Sequence, residues 1–171
     1  GAGAGAGFSP DGKQVSTLQF ETSADGLLQN VVKVFPSDGG EALRTVHLPP
    51  AGTNYAPLPP AAILYVDRSD PHANVFKFST VDGAQSQVSR FTEGRVTEVA
   101  AALDGKHIAV TRRNNDGENV WVMNADGSQP KQVTHFSGLD VAQMRWMPDS
   151  KRVVCTAGHT GNDVVLIRNF R

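Results

Sequence analysis

Apolar and polar residues alternate over short stretches along most of the chain. The apolar runs are rich in Val, Ile, Phe and Trp, and turn residues such as Asp, Gly, Asn and Pro separate them. Alternation with a period of two is typical of half-buried β-strands, whereas no helical periodicity is present. The clearest example spans residues 119–136, where an apolar run is followed by Asp126-Gly127, a pair favoured in tight hairpins, and then by a second alternating run. The pattern therefore predicts an all-β chain.

The strand pattern repeats. An Asn-Val or Asp-Val pair begins at Asn30, Asn74, Asn119 and Asp163, with steps of 44, 45 and 44 residues. Asp-Gly pairs close the same runs in the first three copies, and Asp-Gly-Lys or Asp-Ser-Lys turns precede the second strand in copies one, three and four. Four antiparallel strands in about 44 residues are typical of a β-propeller blade. A sandwich or a solenoid explains the fixed turn spacing less well.

The repeats divide the chain into four blades. We assign residues 1–7, a Gly-Ala alternation unlike the rest, to a linker segment outside the fold, with an extended strand as the alternative. The blades are residues 8–52, 53–94, 95–139 and 140–171. The third strand of the last blade is predicted at residues 164–167, and that blade lacks its outer strand. Innermost strands are predicted at residues 96–102 and 141–146. Three prolines predict a short or irregular inner strand in blade two, and residues 112–118 are predicted to form a loop.

Composition excludes several classes of function. The net charge of −1 provides no basic surface for nucleic acid, and no apolar run is long enough to insert into a membrane. Cys155, the single cysteine, lies in an apolar strand and is expected to be buried. The five histidines lack metal-ligand spacing, and the oxygen-rich residues 114–119 lack the spacing of a calcium loop. No nucleophile or phosphate-binding motif occurs, so we predict no catalytic residue, metal or cofactor.

The loops between the second and third strands are polar and differ between blades. In a propeller these loops share one face, and variable polar loops on a rigid scaffold often bind ligands; ordinary solvated loops are the alternative. The predicted ligand-binding residues on this loop face are Arg68, Asp70, His72, Arg112, Arg113, Asp116 and His159. We expect substitution of Arg112 and Arg113 by alanine to weaken ligand binding with little effect on stability.

The residues Phe-Ser-Pro-Asp-Gly-Lys at 8–13 and Val-Trp-Val-Met-Asn-Ala-Asp-Gly-Ser at 120–128 resemble the TolB-like, WD-like β-propeller repeat. The tail at residues 163–171 looks like the end of TolB-like propellers that follow bacterial Ser/Thr kinase domains. The resemblance implies a ring of six to eight blades and an extracytoplasmic location. It implies a non-catalytic module that binds a protein, peptide or glycan, or else the accessory propeller of an enzyme such as a peptidase. Because four blades are too few for the ring, a homo-oligomer or missing blades would complete it.

Overall fold

The computed structural model describes residues 6–9, 11–59 and 61–159, and within these ranges all regular structure is β. Fourteen strands form three four-stranded sheets and one two-stranded sheet, each antiparallel and in sequence order. In this part of the chain no helix is long and apolar enough to cross a membrane. The all-β prediction and the succession of four-stranded repeats are confirmed.

We number the sheets 1 to 4 along the chain. Each begins with its inner strand and, in sheets 1 to 3, ends with a short outer strand. Sheet 1 contains β1 (Ala6–Phe8), β2 (Gln14–Thr22), β3 (Leu28–Pro36) and β4 (Arg44–His47); sheet 2 contains β5 (Gly52–Leu58), β6 (Ala62–Asp67), β7 (Val75–Ser79) and β8 (Gln85–Gln87); sheet 3 contains β9 (Arg95–Ala101), β10 (His107–Asn114), β11 (Gly117–Asn124) and β12 (Lys131–Gln132); sheet 4 contains β13 (Asp140–Trp146) and β14 (Val153–Gly158).

Apolar side chains fill the space between neighbouring sheets. Val32 and Val34 of sheet 1 pack against Tyr65 of sheet 2 in the first cluster. The second cluster joins sheets 2 and 3, and the third joins sheets 3 and 4 through residues such as Met144. Stacked antiparallel sheets with a core at each junction are the packing of propeller blades. Among the described residues, no such cluster joins sheet 4 back to sheet 1.

In sheet 1 the repeat position that the Asn30-Val31 pair assigns to Val31 is occupied by Val32, one residue later. In each of sheets 1 to 3 the fifth residue of the second strand pairs with one valine of the third strand: Leu18 with Val32, Val66 with Val75, and Thr111 with Val120. Val32, and not Val31, therefore corresponds to Val75 and Val120. A one-residue shift reverses the face on which a strand side chain lies, so of Val31 and Val32 it is Val32 that faces sheet 2.

Two further expectations need correction. Residues 112 and 113 lie within β10, and the predicted 112–118 loop is reduced to residues 115 and 116 because Asn114 pairs with Gly117. β1 includes residues 6 and 7 of the Gly-Ala segment, which pair with Thr17 and Ser16. The inner strand of sheet 2 is irregular, as predicted, with a register shift between Thr53 and Ala56, but at seven residues it is not short.

The predicted inner strands of blades three and four are confirmed, at β9 and β13. The predicted third strand of blade four, at residues 164–167, and the absence of a fourth strand fall outside the described residues, as does the kinase-like tail.

Candidate functional site

The loops between the second and third strands lie at the same end of the sheets as the connections that lead from one sheet to the next. This arrangement follows from the antiparallel strand order, since the second and fourth strands of a blade run in the same direction. Residues 68–73, 115–116 and 159 are thereby placed beside the connections at residues 90–94 and 136–139. We call this end of the molecule the loop face.

In blade two, Asp70 organises its own loop. Its carboxylate accepts hydrogen bonds from the backbone amides of His72 (2.9 Å) and Asn74 (3.1 Å) and from the side-chain amide of Asn74 (3.0 Å). Partial desolvation acts to raise the pKa of Asp70, but these hydrogen bonds together outweigh it and lower the pKa below its ordinary value of 3.8. Asp70 is thus held as an anion by the loop it shapes.

The imidazole of His72 is directed at the neighbouring connection and not at solvent. Its Nδ1 donates to the carbonyl oxygen of Gly94 at 3.0 Å. The backbone carbonyl of His72 accepts a bond from the amide of Val96 at 2.9 Å, at the start of β9. His72 therefore joins the loop of blade two to the inner strand of blade three.

Arg112 is a packing residue. Its side chain is 16% exposed, and its guanidinium carbon lies 4.8 Å from the ring centre of Phe91 and 5.2 Å from that of Trp121. Its Nε donates to the backbone carbonyl of Glu93 at 2.8 Å. These contacts stabilise the junction between blades two and three, so the expectation that its substitution has little effect on stability does not fit its surroundings.

Arg113 takes part in an ionic cluster that links blades three and four. Its Nε is 3.0 Å from Oε1 of Glu118, and its Nη2 is 3.1 Å from Oδ1 of Asp140. The Glu118 side chain is only 3% exposed, and its second oxygen accepts the amide of Val141 at 2.8 Å. A buried carboxylate requires such partners. Arg113 itself stays 54% exposed and can still be reached from solvent.

Beside this cluster is a shallow polar cleft of about 410 Å³, formed by Arg113, residues 114–117, Gly138 and Asp140. Asp116 closes one side, because its carboxylate accepts the hydroxyl of Ser137 at 3.0 Å and its backbone carbonyl accepts the amide of Gly138 at 2.6 Å. The Nδ1 of His159 donates to the carbonyl oxygen of Gly138 at 3.0 Å. The cleft walls are therefore fixed by hydrogen bonds.

The structure brings three of the seven predicted site residues together, since Arg113 and Asp116 line the cleft and His159 contacts its wall at Gly138. Asp70, His72 and Arg112 belong to the neighbouring loop and junction, where all three are engaged in internal contacts. Arg68 is exposed, and no ion pair of its side chain is found among the described residues. The predicted residues thus form two adjoining patches.

Sequence reasoning missed Glu118, Asp140 and the two connection glycines, Gly94 and Gly138. The glycines could have been found, because they lie 44 residues apart and so obey the repeat. Glu118 and Asp140 could not, since neither residue type recurs at the corresponding places in the other blades. Their importance comes from the contact between two blades, which a single repeat does not contain.

Other polar groups have structural explanations. Glu98 of β9 pairs with Arg145 of β13 at 2.9 Å, and burial raises the pKa of Glu98 in spite of that partner. Cys155 is only partly buried, against the core between sheets 3 and 4, and this burial raises the pKa of its thiol. A raised pKa makes the reactive thiolate scarce. Over the described ranges, no group of three or more His, Cys, Asp or Glu side chains could hold a metal ion.

No protein-family model matches the chain, and no curated protein matches it. Solved structures do. TolB from Agrobacterium tumefaciens superposes with a TM-score of 0.67 at 20% identity, covering 91% of this chain and 54% of its own. A chain of the nidogen/laminin complex superposes with a TM-score of 0.58 at 16% identity, covering 82% of this chain and 52% of its own. An acylaminoacyl peptidase from Pyrococcus horikoshii superposes with a TM-score of 0.64 at 12% identity, covering 90% of this chain and 28% of its own.

The chain therefore spans about half of the TolB structure or of the nidogen/laminin chain, and a smaller part of the peptidase. At these identities the likeness concerns the fold. Together with the stacked four-stranded sheets, it identifies the fold of the described residues as that of a TolB-like β-propeller, of which they form consecutive blades.

Proposed function

We propose that the chain is a non-catalytic binding or scaffold module whose loop face holds a protein or peptide ligand. The observation that supports this most is the fixed polar cleft beside Arg113, whose walls are hydrogen-bonded before any ligand arrives. A preformed site loses less conformational freedom on binding than a mobile one. Arg113, Asn114, Asn115 and Asp116 are exposed there and offer both charge signs and amide groups to a peptide backbone.

The comparisons add support of a general kind. One similar structure comes from the nidogen/laminin complex, in which that protein is bound to another. The role of accessory propeller in a peptidase is the second candidate, because the acylaminoacyl peptidase of Pyrococcus horikoshii has a similar fold over part of its chain. The parent reading frame distinguishes the two: a hydrolase domain would favour the accessory role, whereas a kinase domain would favour a sensor or scaffold.

A selection experiment tests the binding proposal. Random twelve-residue peptides displayed on phage are selected on the immobilised chain, and the enriched peptides are synthesised and titrated. We expect Arg68→Ala and Asp116→Ala to weaken binding, because both side chains are exposed on the loop face. Arg44→Ala, in β4 and also exposed, is the matched control and should leave affinity unchanged. Peptides that bind the three variants equally would contradict the proposal.

We also propose that the blades belong to a larger assembly, either with further blades or with a second copy. Thr17 and Lys33, on the face of sheet 1 turned away from sheet 2, correspond by strand register to Tyr65 and Phe76 of sheet 2. Polar residues at such positions weaken self-association. We therefore expect dimers only at high concentration, measured as mass by light scattering. A stable dimer at micromolar concentration would contradict this weak association and would identify a second copy, and not further blades, as the part that completes the assembly.

A further inference from the structure

The hairpin between β2 and β3 carries a group of exposed apolar side chains on the loop face. Phe20 is 49% exposed, Leu27 62% and Leu28 71%. We call these three residues the apolar tip. None of them belongs to the polar cleft, and apolar side chains of this size so far out of a core are costly unless a partner covers them.

The apolar tip projects past the neighbouring blade. Gln19, which pairs with Val31, corresponds by strand register to Asp67, the last residue of β6 in sheet 2. β2 continues for three residues beyond Gln19, to Thr22, which at about 3.3 Å per residue amounts to about 10 Å. Sheet 2 therefore has no strand beside this part of the hairpin.

The apolar tip also continues the packed junction between sheets 1 and 2. Leu18 and Val32 pack in that junction. Phe20 lies two residues after Leu18, and Leu28 lies four before Val32, so both side chains are on the face turned toward sheet 2. Blades that precede sheet 1 would cover its opposite face and would leave Phe20 and Leu28 exposed.

The backbone of the apolar tip is ordered in advance. The amide of Ser23 donates to the carbonyl of Leu27 at 2.8 Å, its hydroxyl donates to the carboxylate of Asp25, and the amide of Gly26 donates to the carbonyl of Ser23 at 2.9 Å. A partner that docks here does not have to order the loop, which favours binding.

The charge beside the apolar tip is negative. Asp25 is the one ionisable residue of the loop at residues 23–27, and its carboxylate is exposed. Glu21, the next nearest carboxylate along the chain, is paired with Lys33 at 2.6 Å. The exposed carboxylate of Asp25 disfavours an anionic membrane surface and favours a cationic group in the partner.

We propose that the apolar tip docks a segment of a partner protein that presents two or more apolar side chains next to a Lys or Arg. This inference rests on the proposed role as a binding module but uses a different part of the loop face. Two anchors in a desolvated contact commonly supply most of the binding energy at such interfaces.

The phage selection provides the test. Enriched peptides should contain at least two large apolar residues and a Lys or Arg. The synthetic peptides should bind the Phe20→Ser/Leu28→Ser variant at least tenfold more weakly than the wild type. The matched control is Leu43→Ser/Val81→Ser, which removes two other exposed apolar residues and should bind like the wild type. If the double variant fails to fold, Leu28→Ser alone serves, because that side chain is 71% exposed.

Several outcomes would overturn the proposal. Unchanged affinity of the tip variant would do so, as would enrichment of acidic or wholly polar peptides. Sedimentation of the wild type, but not the tip variant, with phosphatidylcholine vesicles would identify a lipid surface instead. A dimer that light scattering shows to depend on Phe20 and Leu28 would identify a second copy. If peptides depend on Arg68 and Asp116 but not on the apolar tip, this inference fails while the proposed function stands.

Discussion

The hairpin ends of sheets 1 and 3 are equivalent in position but opposite in use. In sheet 3, Arg113 of β10 pairs with Glu118 of β11, and in sheet 1 the same strand register places Phe20 opposite Asn30. Arg113 and Glu118 connect blade three to Asp140 and Val141 of blade four. In sheet 1 Asn30 makes one bond to Tyr55 of blade two, at 3.3 Å, whereas Phe20 is half exposed and the adjacent leucines are mostly exposed. The hairpin between the second and third strands of a blade thus either joins two blades or projects beyond them, depending on its side chains.

The lengths of the two hairpins account for the difference. β10 and β11 are joined by two residues, and this short loop contacts the connection to blade four, where the amide of Glu118 donates to the carbonyl of Leu139 at 2.7 Å. β2 and β3 are longer and are joined by five residues, so their end passes beyond β6. We infer that a hairpin joins its blade to the next one only where its loop does not extend past that next blade. Four predictions test this comparison between sheets 1 and 3.

The largest effect is expected at the turn before each outer strand. Gly127 has φ +85°, and a Cβ there would lie 1.9 Å from the carbonyl oxygen of Val88 in blade two. Gly39, the counterpart in sheet 1, has φ +97° and open space around it. Gly127→Ala should therefore cost at least about 3 kcal/mol of unfolding free energy, and Gly39→Ala about 1 kcal/mol from the positive φ alone. Urea denaturation measures both, and equal costs would mean that blades two and three are not in this contact.

The second prediction concerns the ionic cluster. Glu118→Ala should lower the free energy of unfolding by about 3 kcal/mol, because it leaves the Val141 amide without its acceptor and Arg113 without its buried partner. Asn30→Ala is the matched change in sheet 1 and should cost about 1 kcal/mol, since Asn30 makes a single 3.3 Å bond to Tyr55 there. A smaller loss for Glu118→Ala than for Asn30→Ala in urea denaturation would reverse the comparison.

The third prediction concerns Arg112 and Gln19, which occupy equivalent places in β10 and β2. Arg112→Ala removes the contacts with Phe91 and Trp121 and the bond to Glu93, and we expect a loss of about 2 kcal/mol. Gln19→Ala should cost less than about 0.5 kcal/mol. Fluorescence in a Trp146→Phe background, where Trp121 is the remaining tryptophan, reports the local change. An unaltered emission maximum in Arg112→Ala would show that the guanidinium does not pack on the ring.

The repeat itself was readable from the sequence because turn residues report backbone geometry. Asp126-Gly127 and its counterparts recur where positive φ is needed, and the alternating runs between them fix the number of strands. The one-residue displacement in sheet 1 was not readable. Asn30-Val31 imitates Asn74-Val75, and Val31 and Val32 are both buried. Only the pairing with β2 shows that Val32 takes the place that faces sheet 2.

The site was harder to predict, because its side chains too are placed by contacts with other parts of the structure. The sequence predicts a loop at Arg112 and Arg113, where charged residues follow an apolar run, yet β10 continues through both of them. Their side chains are engaged by Phe91, Glu118 and Asp140, which lie in other strands and connections. Contacts between blades depend on how the blades stack, and a repeat read along one chain carries no record of that stacking.

The smallest effect is expected at Asp25, in the loop of the apolar tip. A hydrogen bond from the Ser23 hydroxyl is the main cause that lowers the pKa of Asp25 below its ordinary value of 3.8. Because the folded pKa is the lower one, the contribution of the carboxylate to stability is present above about pH 4 and is lost as the pH falls through the folded pKa.

At pH 6 the Ser23 amide should exchange with solvent faster in Asp25→Asn than in the wild type, and the difference should vanish in strong acid. The matched variant Asp116→Asn, in the loop of sheet 3, should leave exchange at Ser23 unchanged. Carbon-13 titration of the Asp25 carboxyl by NMR measures the pKa directly, and a midpoint at or above 3.8 would show that the loop is not ordered in the way that docking at the apolar tip requires.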